Sequence, residues 1–84
     1  MINKEFLIKK IIYRATHRGS KEMDILLGNF VQKHIDNLNN NDLEDLSLFL
    51  LIEDEILSHF FFDKIENDII PDNKISELFR EFKL

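Results

Sequence analysis

The side chains best suited to catalysis in this sequence are three histidines, His17, His34 and His59. They are scattered along the chain, and none stands at metal-ligand spacing from a glutamate or a cysteine. No serine lies beside an obvious general base, and the two glycines do not form a phosphate-binding loop. The sequence therefore predicts that the protein is not an enzyme and has no metal or cofactor site of its own.

One stretch, residues 13–24, has the character of a site, because two helical patterns stop at this short charged corner. Gly19 is the natural break, and we expect it in the left-handed region, where glycine carries no Cβ penalty. Ser20 then caps the next helix, and Glu22 lies in its first turn, where the helix dipole favours a carboxylate. We expect Arg18 to hold its guanidinium free for a partner. A helix cap on ordinary solvated surface is the competing interpretation.

Two predicted helices must position this corner. The first runs from about Lys4 to His17, has Asn3 as its N-cap, and places on its apolar side Phe6, Ile8, Ile11, Ile12 and Ala15. The second runs from Lys21 to about Leu38 and has the apolar stripe Met23, Leu26, Leu27, Phe30, Val31, His34, Ile35 and Leu38. Gly28 inside it costs about 1 kcal/mol relative to alanine, which indicates that a neighbouring helix passes close by.

Three shorter helices are predicted downstream. Asn41 and Glu44 have the spacing of a capping box for the third helix. Its inward-facing residues are Leu43, Leu46, Phe49 and Leu50, and its far end is made nearly all apolar by Leu48, Leu51 and Ile52. Asp54 caps a fourth helix that carries Ile56, Leu57, Phe60 and Phe61. After Pro71, Asp72 or Asn73 caps a fifth helix with the apolar face Ile75, Leu78, Phe79 and Phe82. The fold class is therefore all-α, a compact bundle of five short helices forming one domain over residues 1–84.

Composition narrows the classes of function. The chain has 84 residues and no cysteine, so it cannot hold a disulfide framework or a thiolate site. Its net charge of −5 argues against a nucleic-acid surface. The longest apolar run, residues 48–52, is far shorter than the roughly 20 residues that span a bilayer. The N-terminal segment lacks the features of a secretory signal or an Arg-rich transit peptide. We therefore expect no membrane insertion and a bacterial cytoplasmic protein, with the mitochondrial matrix as the second choice.

The corner carries a sequence motif. Arg18-Gly19-x-x-Glu22-x-Asp24, followed by Leu26, Leu27, Gly28 and Phe30, resembles the Arg-Gly-x-x-Glu motif of the SdhE-like succinate dehydrogenase flavinylation factors. The motif also stands at the family's place between the first two helices, in a chain of the family's size. The resemblance covers about residues 10–62 and implies a small protein of five helices.

A second signature of that family is matched in part. Residues 49–60 resemble its pattern of an apolar pair, an acidic turn, then Asp-Leu and a tryptophan. Asp54 and Leu57 fit, whereas Ile56 replaces the family's aspartate and Phe60 its tryptophan. Phe60 nevertheless preserves an apolar anchor for a partner.

The resemblance implies an assembly factor that is a monomer when free. Such factors bind the flavoprotein subunit of succinate dehydrogenase, or of fumarate reductase, and promote covalent attachment of FAD to it. The flavin would be carried by the partner and not by this chain. The residues implied in partner binding are Arg14, His17, Arg18, Gly19, Glu22, Asp24 and Phe60.

A function of another class stays open at this point. The chain is alternatively a generic helical interaction module, in the sense of the antitoxin-like label once given to this family. In that case an exposed patch of Phe60, Phe61 and Phe62 would dock a different protein. The two hypotheses differ in the surface they use, the corner in the first and the phenylalanine patch in the second.

Overall fold

The computed structural model describes residues 3–84, and Met1 and Ile2, which open the N-terminal segment considered above, lie outside the described residues. Within that range the structure has five α-helices and no strand, which confirms the all-α prediction. The helices are α1 (Lys4–Thr16), α2 (Lys21–His34), α3 (Asn40–Phe49), α4 (Asp54–Phe62) and α5 (Lys74–Glu81). A 3-10 turn, Ile35–Asn37, follows α2, and one hydrophobic core joins all five helices.

The N-cap of α1 is Asn3, as predicted, because its Oδ1 accepts the backbone N–H of Glu5 at 2.9 Å. The buried stripe of this helix consists of Leu7, Ile11 and Ala15. Phe6 was expected on the apolar side, and that prediction is wrong, since its side chain is 65% exposed. The helix packs between α2 and α3 through the stripe centred on Ile11, so a side chain one position before Leu7 turns outward. Ile12 is exposed for the same reason.

The second helix follows its predicted stripe most closely. Ser20 caps it by accepting the N–H of Met23, and the five predicted apolar positions from Met23 to Val31 are buried. The helix ends at His34 and not near Leu38, because the chain tightens into the 3-10 turn before Leu38 enters the core. A Cβ added at Gly28 would lie 3.5 Å from Thr16 Cγ2, so α1 does pass close by, as expected.

The caps of α3 and α4 differ from the predicted ones. Asn39 and Asp42 form the capping box of α3, two residues before the predicted Asn41 and Glu44. The N-cap of α4 is Glu53, which makes no side-chain cap bond, so Asp54 is the first helical residue and not the cap.

The far end of α3 is also less buried than expected, with Leu48 and Leu51 about 60% exposed. The α1 and α5 helices cover only the other sides of α3.

Phenylalanine rings form the centre of the core. Phe79 of α5 is fully buried, with the ring centroids of Phe30, Phe49 and Phe61 between 5.0 and 5.2 Å away. The N-cap of α5, the helix that presents Phe79, is Asn73, one of the two predicted caps, and it forms a capping box with Ser76. Because α5 brings its ring between α2, α3 and α4, it closes the bundle. The corner is thereby held by a packed interior.

Candidate functional site at the helix corner

The guanidinium of Arg18 lies inside the protein, with 10% of its side chain exposed. Its Nε donates to Asp54 Oδ1 at 2.7 Å, and its Nη2 donates to the carbonyl of Ile52 at 2.8 Å. Its Nη1 donates to the carbonyls of Leu50 and Arg14. The expectation of a free guanidinium was therefore wrong, because acceptors from another part of the chain occupy its donors.

These acceptors lie where α3 ends and α4 begins. Leu50 is the C-cap of α3, and the last carbonyls of a helix lack partners within it and favour a nearby cation. Asp54 is the first residue of α4, where the helix dipole favours a carboxylate. Arg18 therefore complements the C-terminal end of α3 directly and pairs with the carboxylate at the start of α4, which ties the α1–α2 corner to the α3–α4 turn.

Gly19 approaches the same carboxylate through its backbone. Its N–H donates to Asp54 Oδ2 at 2.8 Å, so Asp54 binds side chain and main chain of the corner with its two oxygens. Gly19 does not have a positive φ, and the expected left-handed conformation was wrong. A Cβ at this position would lie 3.1 Å from Asp54 Oδ2, closer than ordinary van der Waals contact. Glycine suits the position because of this close approach.

Two more residues implied in partner binding are directed into the fold. Asp24 accepts the backbone N–H of Arg18 through its Oδ1, which fixes the linker against the first turn of α2. Arg14 donates from Nη1 to the carbonyl and to Oγ of Ser47, at 3.0 and 2.8 Å. Both side chains are half-buried and hold the corner in place. Contact of either with a partner stays a prediction.

The outer surface of the corner consists of Glu22 and His17. Both are exposed, and over residues 3–84 no hydrogen bond or ion pair engages the Glu22 carboxylate. The His17 ring stacks on Tyr13 with centroids 4.0 Å apart and planes inclined by 15°. Its Nδ1 lies 2.9 Å from the Tyr13 carbonyl. The corner thus presents one carboxylate and one oriented imidazole to an approaching molecule.

Phe60 does not belong to this surface. Its side chain is 2% exposed, and its ring stacks on Phe79 inside the core with the Arg80 guanidinium 5.1 Å from its centre. The expected apolar anchor for a partner is therefore buried. Phe61 is buried as well, and only Phe62 of the expected patch is exposed. The cause is α5, which packs Phe79 against the inner side of α4.

The described residues also bear on cofactors and membranes. No group of three or more His, Asp or Glu side chains in residues 3–84 is arranged to hold a metal ion. None of the helices in that range is long and apolar enough to cross a membrane.

Burial among Phe30 and Phe82, and secondarily the charge of Lys33, lowers the pKa of His34 below its usual value. The His34 ring therefore lies half-buried at the edge of the core, against Phe30 and Phe82.

Comparison with known families settles the resemblance. The family described as "Flavinator of succinate dehydrogenase" matches residues 9–83, which include the corner and the α3–α4 turn that Arg18 joins. The chain belongs to this flavinator family. The match extends beyond the motif and takes in α5, which the motif alone did not reach.

Curated relatives of this flavinator chain come from bacteria and from eukaryotes. It is similar to the FAD assembly factor SdhE of Acetobacter pasteurianus, with 31% identity over 72 residues, 86% of this chain and 63% of that protein. It is also similar to the mitochondrial succinate dehydrogenase assembly factor 2 of Arabidopsis thaliana, with 33% identity over 51 residues, 61% of this chain and 27% of that protein. The factor of the same name from Dictyostelium discoideum is 36% identical over 62 residues, 74% of this chain and 44% of that protein. The chain spans less than two thirds of each relative's length. No solved structure gives a significant match.

Sequence reasoning missed the residues that hold the flavinator corner together. Asp54 was interpreted as a helix cap, and Ser47 was not singled out, because their partners Arg18 and Arg14 lie more than 30 positions away. One signal pointed to Asp54, namely that it matches the second family signature. Tyr13 and His17 stand four positions apart, the helical spacing that brings two side chains together, and this local signal could have predicted their stacking.

Proposed function

We propose that this chain is an assembly factor that binds the flavoprotein subunit of succinate dehydrogenase and promotes covalent attachment of FAD to it. The match to the flavinator family over residues 9–83 carries the proposal. The names of the relatives, an FAD assembly factor and two succinate dehydrogenase assembly factors, support the same role. The flavoprotein of the related fumarate reductase is a second client of the same kind.

The factor acts by positioning and not by chemistry of its own. The flavin and the client supply the reacting groups, and binding holds the client so that the flavin's reactive carbon meets a client histidine. A rigid contact surface suits this task, because a mobile one would lose its ordering entropy on binding. The Arg18–Asp54 ion pair and the Gly19 hydrogen bond supply that rigidity at the corner. The chain itself then carries no FAD and turns over no substrate.

Contacts with the client come from the outer surface of the corner. Glu22 and His17 are exposed and make the direct contacts, while Arg14, Arg18, Gly19 and Asp24 hold the backbone that presents them. This division of labour follows from exposure, since a guanidinium with its donors occupied offers little to a partner. The free factor is a monomer of the bacterial cytoplasm, or of the mitochondrial matrix in the alternative setting.

Cells that lack their own factor provide the test. The client flavoprotein is produced with or without this chain, and its covalent flavin is read by fluorescence in a denaturing gel. Recovery of the fluorescence only with the chain present, together with co-purification of the apo-flavoprotein, is expected. Equal fluorescence with and without the chain would refute the proposal.

The alternative of a generic interaction module loses its proposed surface. That hypothesis needed an exposed patch of Phe60, Phe61 and Phe62, and two of the three side chains are at most 8% exposed. No other observation favours it over the assembly factor.

A further inference from the structure

The imidazole of His17 is held in one orientation by residues of its own helix. Its ring stacks on Tyr13, one helical turn earlier, with centroids 4.0 Å apart and planes inclined by 15°. Tyr13 is 62% exposed and stands outside the hydrophobic core. The stacking therefore fixes the plane of an imidazole that lies at the surface of the corner.

Two acceptors decide which nitrogen of the His17 ring carries the proton. Nδ1 lies 2.9 Å from the carbonyl oxygen of Tyr13, which can only accept, so Nδ1 carries a proton and donates it. Thr16 Oγ1 lies 3.2 Å from the same nitrogen and donates its own proton to the Ile12 carbonyl at 2.8 Å. The threonine hydroxyl is thus a second acceptor for Nδ1. In the neutral imidazole, Nε2 is then the nitrogen with the free electron pair.

The second ring nitrogen, Nε2, is not used by the fold. No donor within residues 3–84 binds it, and the His17 side chain is exposed, so an approaching molecule can reach this atom. A nitrogen with a free electron pair accepts a hydrogen bond from an N–H or O–H group. Because the stacking and the Nδ1 bonds are made before binding, the ring loses little rotamer freedom when such a group arrives.

Helix capping accounts for only the inner half of this arrangement. His17 is the C-cap of α1, and its Nδ1–H satisfies one of the last carbonyls of that helix. Neither the cap nor the stacking on Tyr13 engages Nε2. The orientation of this atom is therefore a separate property of the corner, and it has a consequence for binding.

We propose, resting on the proposed function, that His17 Nε2 accepts a hydrogen bond from an N–H or O–H group of the client flavoprotein. Tyr13 and Thr16 are then positioning residues, which act by holding the imidazole and its proton in place. A client surface that offers a carbonyl or carboxylate oxygen to the same atom is disfavoured, because two electron pairs would face each other. His17 thereby contributes specificity to the contact and not only area.

The position of the proton is tested first, by ¹⁵N NMR of the free chain with labelled histidine at alkaline pH. The His17 signals, identified by their loss in His17→Gln, should show the proton on Nδ1 and a bare Nε2. Tyr13→Leu should convert them to a mixture of the two tautomers, whereas Tyr13→Phe, which keeps the stacked ring, should not. A parent chain with the proton on Nε2 would overturn the proposal.

Titration calorimetry with purified client apo-flavoprotein then tests the contact. His17→Asn places an amide near the position of Nδ1, so it can still cap α1, but it has no atom at the position of Nε2. Its dissociation constant should rise about threefold to tenfold, the range expected for one lost hydrogen bond. His17→Gln reaches the position of Nε2 with an amide oxygen and should bind more tightly than His17→Asn.

The positioning role of Tyr13 is measured in the same assay. Tyr13→Leu should weaken binding and Tyr13→Phe should not, because only the first removes the ring on which His17 stacks. Phe6→Leu is the matched control for the loss of an exposed aromatic ring from α1, since Phe6 is 65% exposed near the other end of that helix. This control should leave binding within about twofold.

The outcomes separate this contact from the proposed function. If the parent does not bind the flavoprotein, the proposed function fails and the contact with it. If the parent binds and His17→Asn binds equally tightly, His17 is only a helix cap and the proposed function stands without this contact. If labelled His17 carries a proton on both nitrogens in the complex, Nε2 is a donor and the proposal is overturned. Melting curves close to the parent's, expected because His17→Asn keeps the cap, show that the bundle is intact.

Discussion

Asp54 binds Arg18 and Gly19 with its two carboxylate oxygens, at 2.7 and 2.8 Å, and so joins two chain segments that are 35 or 36 positions apart. Because these two residues open the family motif, the motif's first half holds the corner together from inside. Glu22, the motif's last residue, is the part left in water. The motif therefore combines an internal support with an external contact.

The first prediction concerns that support. Arg18→Ala leaves the Asp54 carboxylate and the end of α3 without their partner, and should lower the free energy of unfolding by about 2–4 kcal/mol. The lower part of this range is expected because the Asp54 side chain is 28% exposed, so water can replace part of the lost ion pair. Urea unfolding is the measurement, with the exposed neighbour Lys21→Ala as control. Equal stability of the two variants would show that the buried network contributes little.

The second prediction concerns the close approach at Gly19. Gly19→Ala places a methyl group 3.1 Å from Asp54 Oδ2 and should cost about 1 kcal/mol, since the carboxylate has to move by a few tenths of an ångström. In an Asp54→Ala background the same change should cost much less. A double-mutant cycle in urea measures this coupling. Additive effects would mean that the glycine is needed for some other reason, such as its backbone conformation.

The third prediction concerns the core. Phe79→Ala removes the ring at the centre of the phenylalanine cluster and should cost about 3–5 kcal/mol, enough to threaten the folding of so small a domain. Phe62→Ala is the control, because its side chain is 43% exposed. The two variants should differ widely in melting temperature. Closely similar melting temperatures would contradict the packing described for α5.

The fourth prediction concerns pH. Burial, with a smaller contribution from Lys33, lowers the pKa of His34 in the folded state, so the unfolded chain binds the proton more tightly. The stability due to neutral His34 is complete above its usual pKa of 6.5 and is lost as the pH falls below that value. His34→Gln should therefore flatten the dependence of urea stability on pH across this window. The exposed His59→Gln variant shows what loss of a histidine does by itself, and an unchanged slope in His34→Gln would contradict the assignment.

The parts of the fold that follow from local rules could be predicted from the sequence. The α2 stripe and the caps Asn3 and Ser20 depend on neighbours within one or two turns, and the structure has them as expected. The conformation of Arg18 could not be predicted, because its acceptors come from residues 50–54 and are brought there only by packing. The exposure of Leu48 could not be predicted either, because it also depends on how the helices pack. An apolar residue at the end of a helix is buried only if another element covers that side.

The candidate site divides in the same way. Gly19 and Glu22 were located by the motif, but the motif alone does not distinguish a residue that supports the corner from one that contacts a partner. That distinction comes from exposure, which depends on the whole fold. Phe60 illustrates the point, since an aromatic residue in a family signature reads equally well as an anchor or as core.

The central claim is that the outer surface of the corner contacts the client, and Glu22→Ala tests it most directly. The variant should fold normally, since loss of a first-turn carboxylate costs at most about 1 kcal/mol. Glu77→Ala is the matched control, because Glu77 is an exposed first-turn carboxylate of α5. In cells lacking their own factor, covalent flavin on the client, read by in-gel fluorescence, should fall severalfold with Glu22→Ala and stay at the parent's level with Glu77→Ala. Normal flavinylation with a folded Glu22→Ala variant would contradict the account and leave the corner as a structural element only.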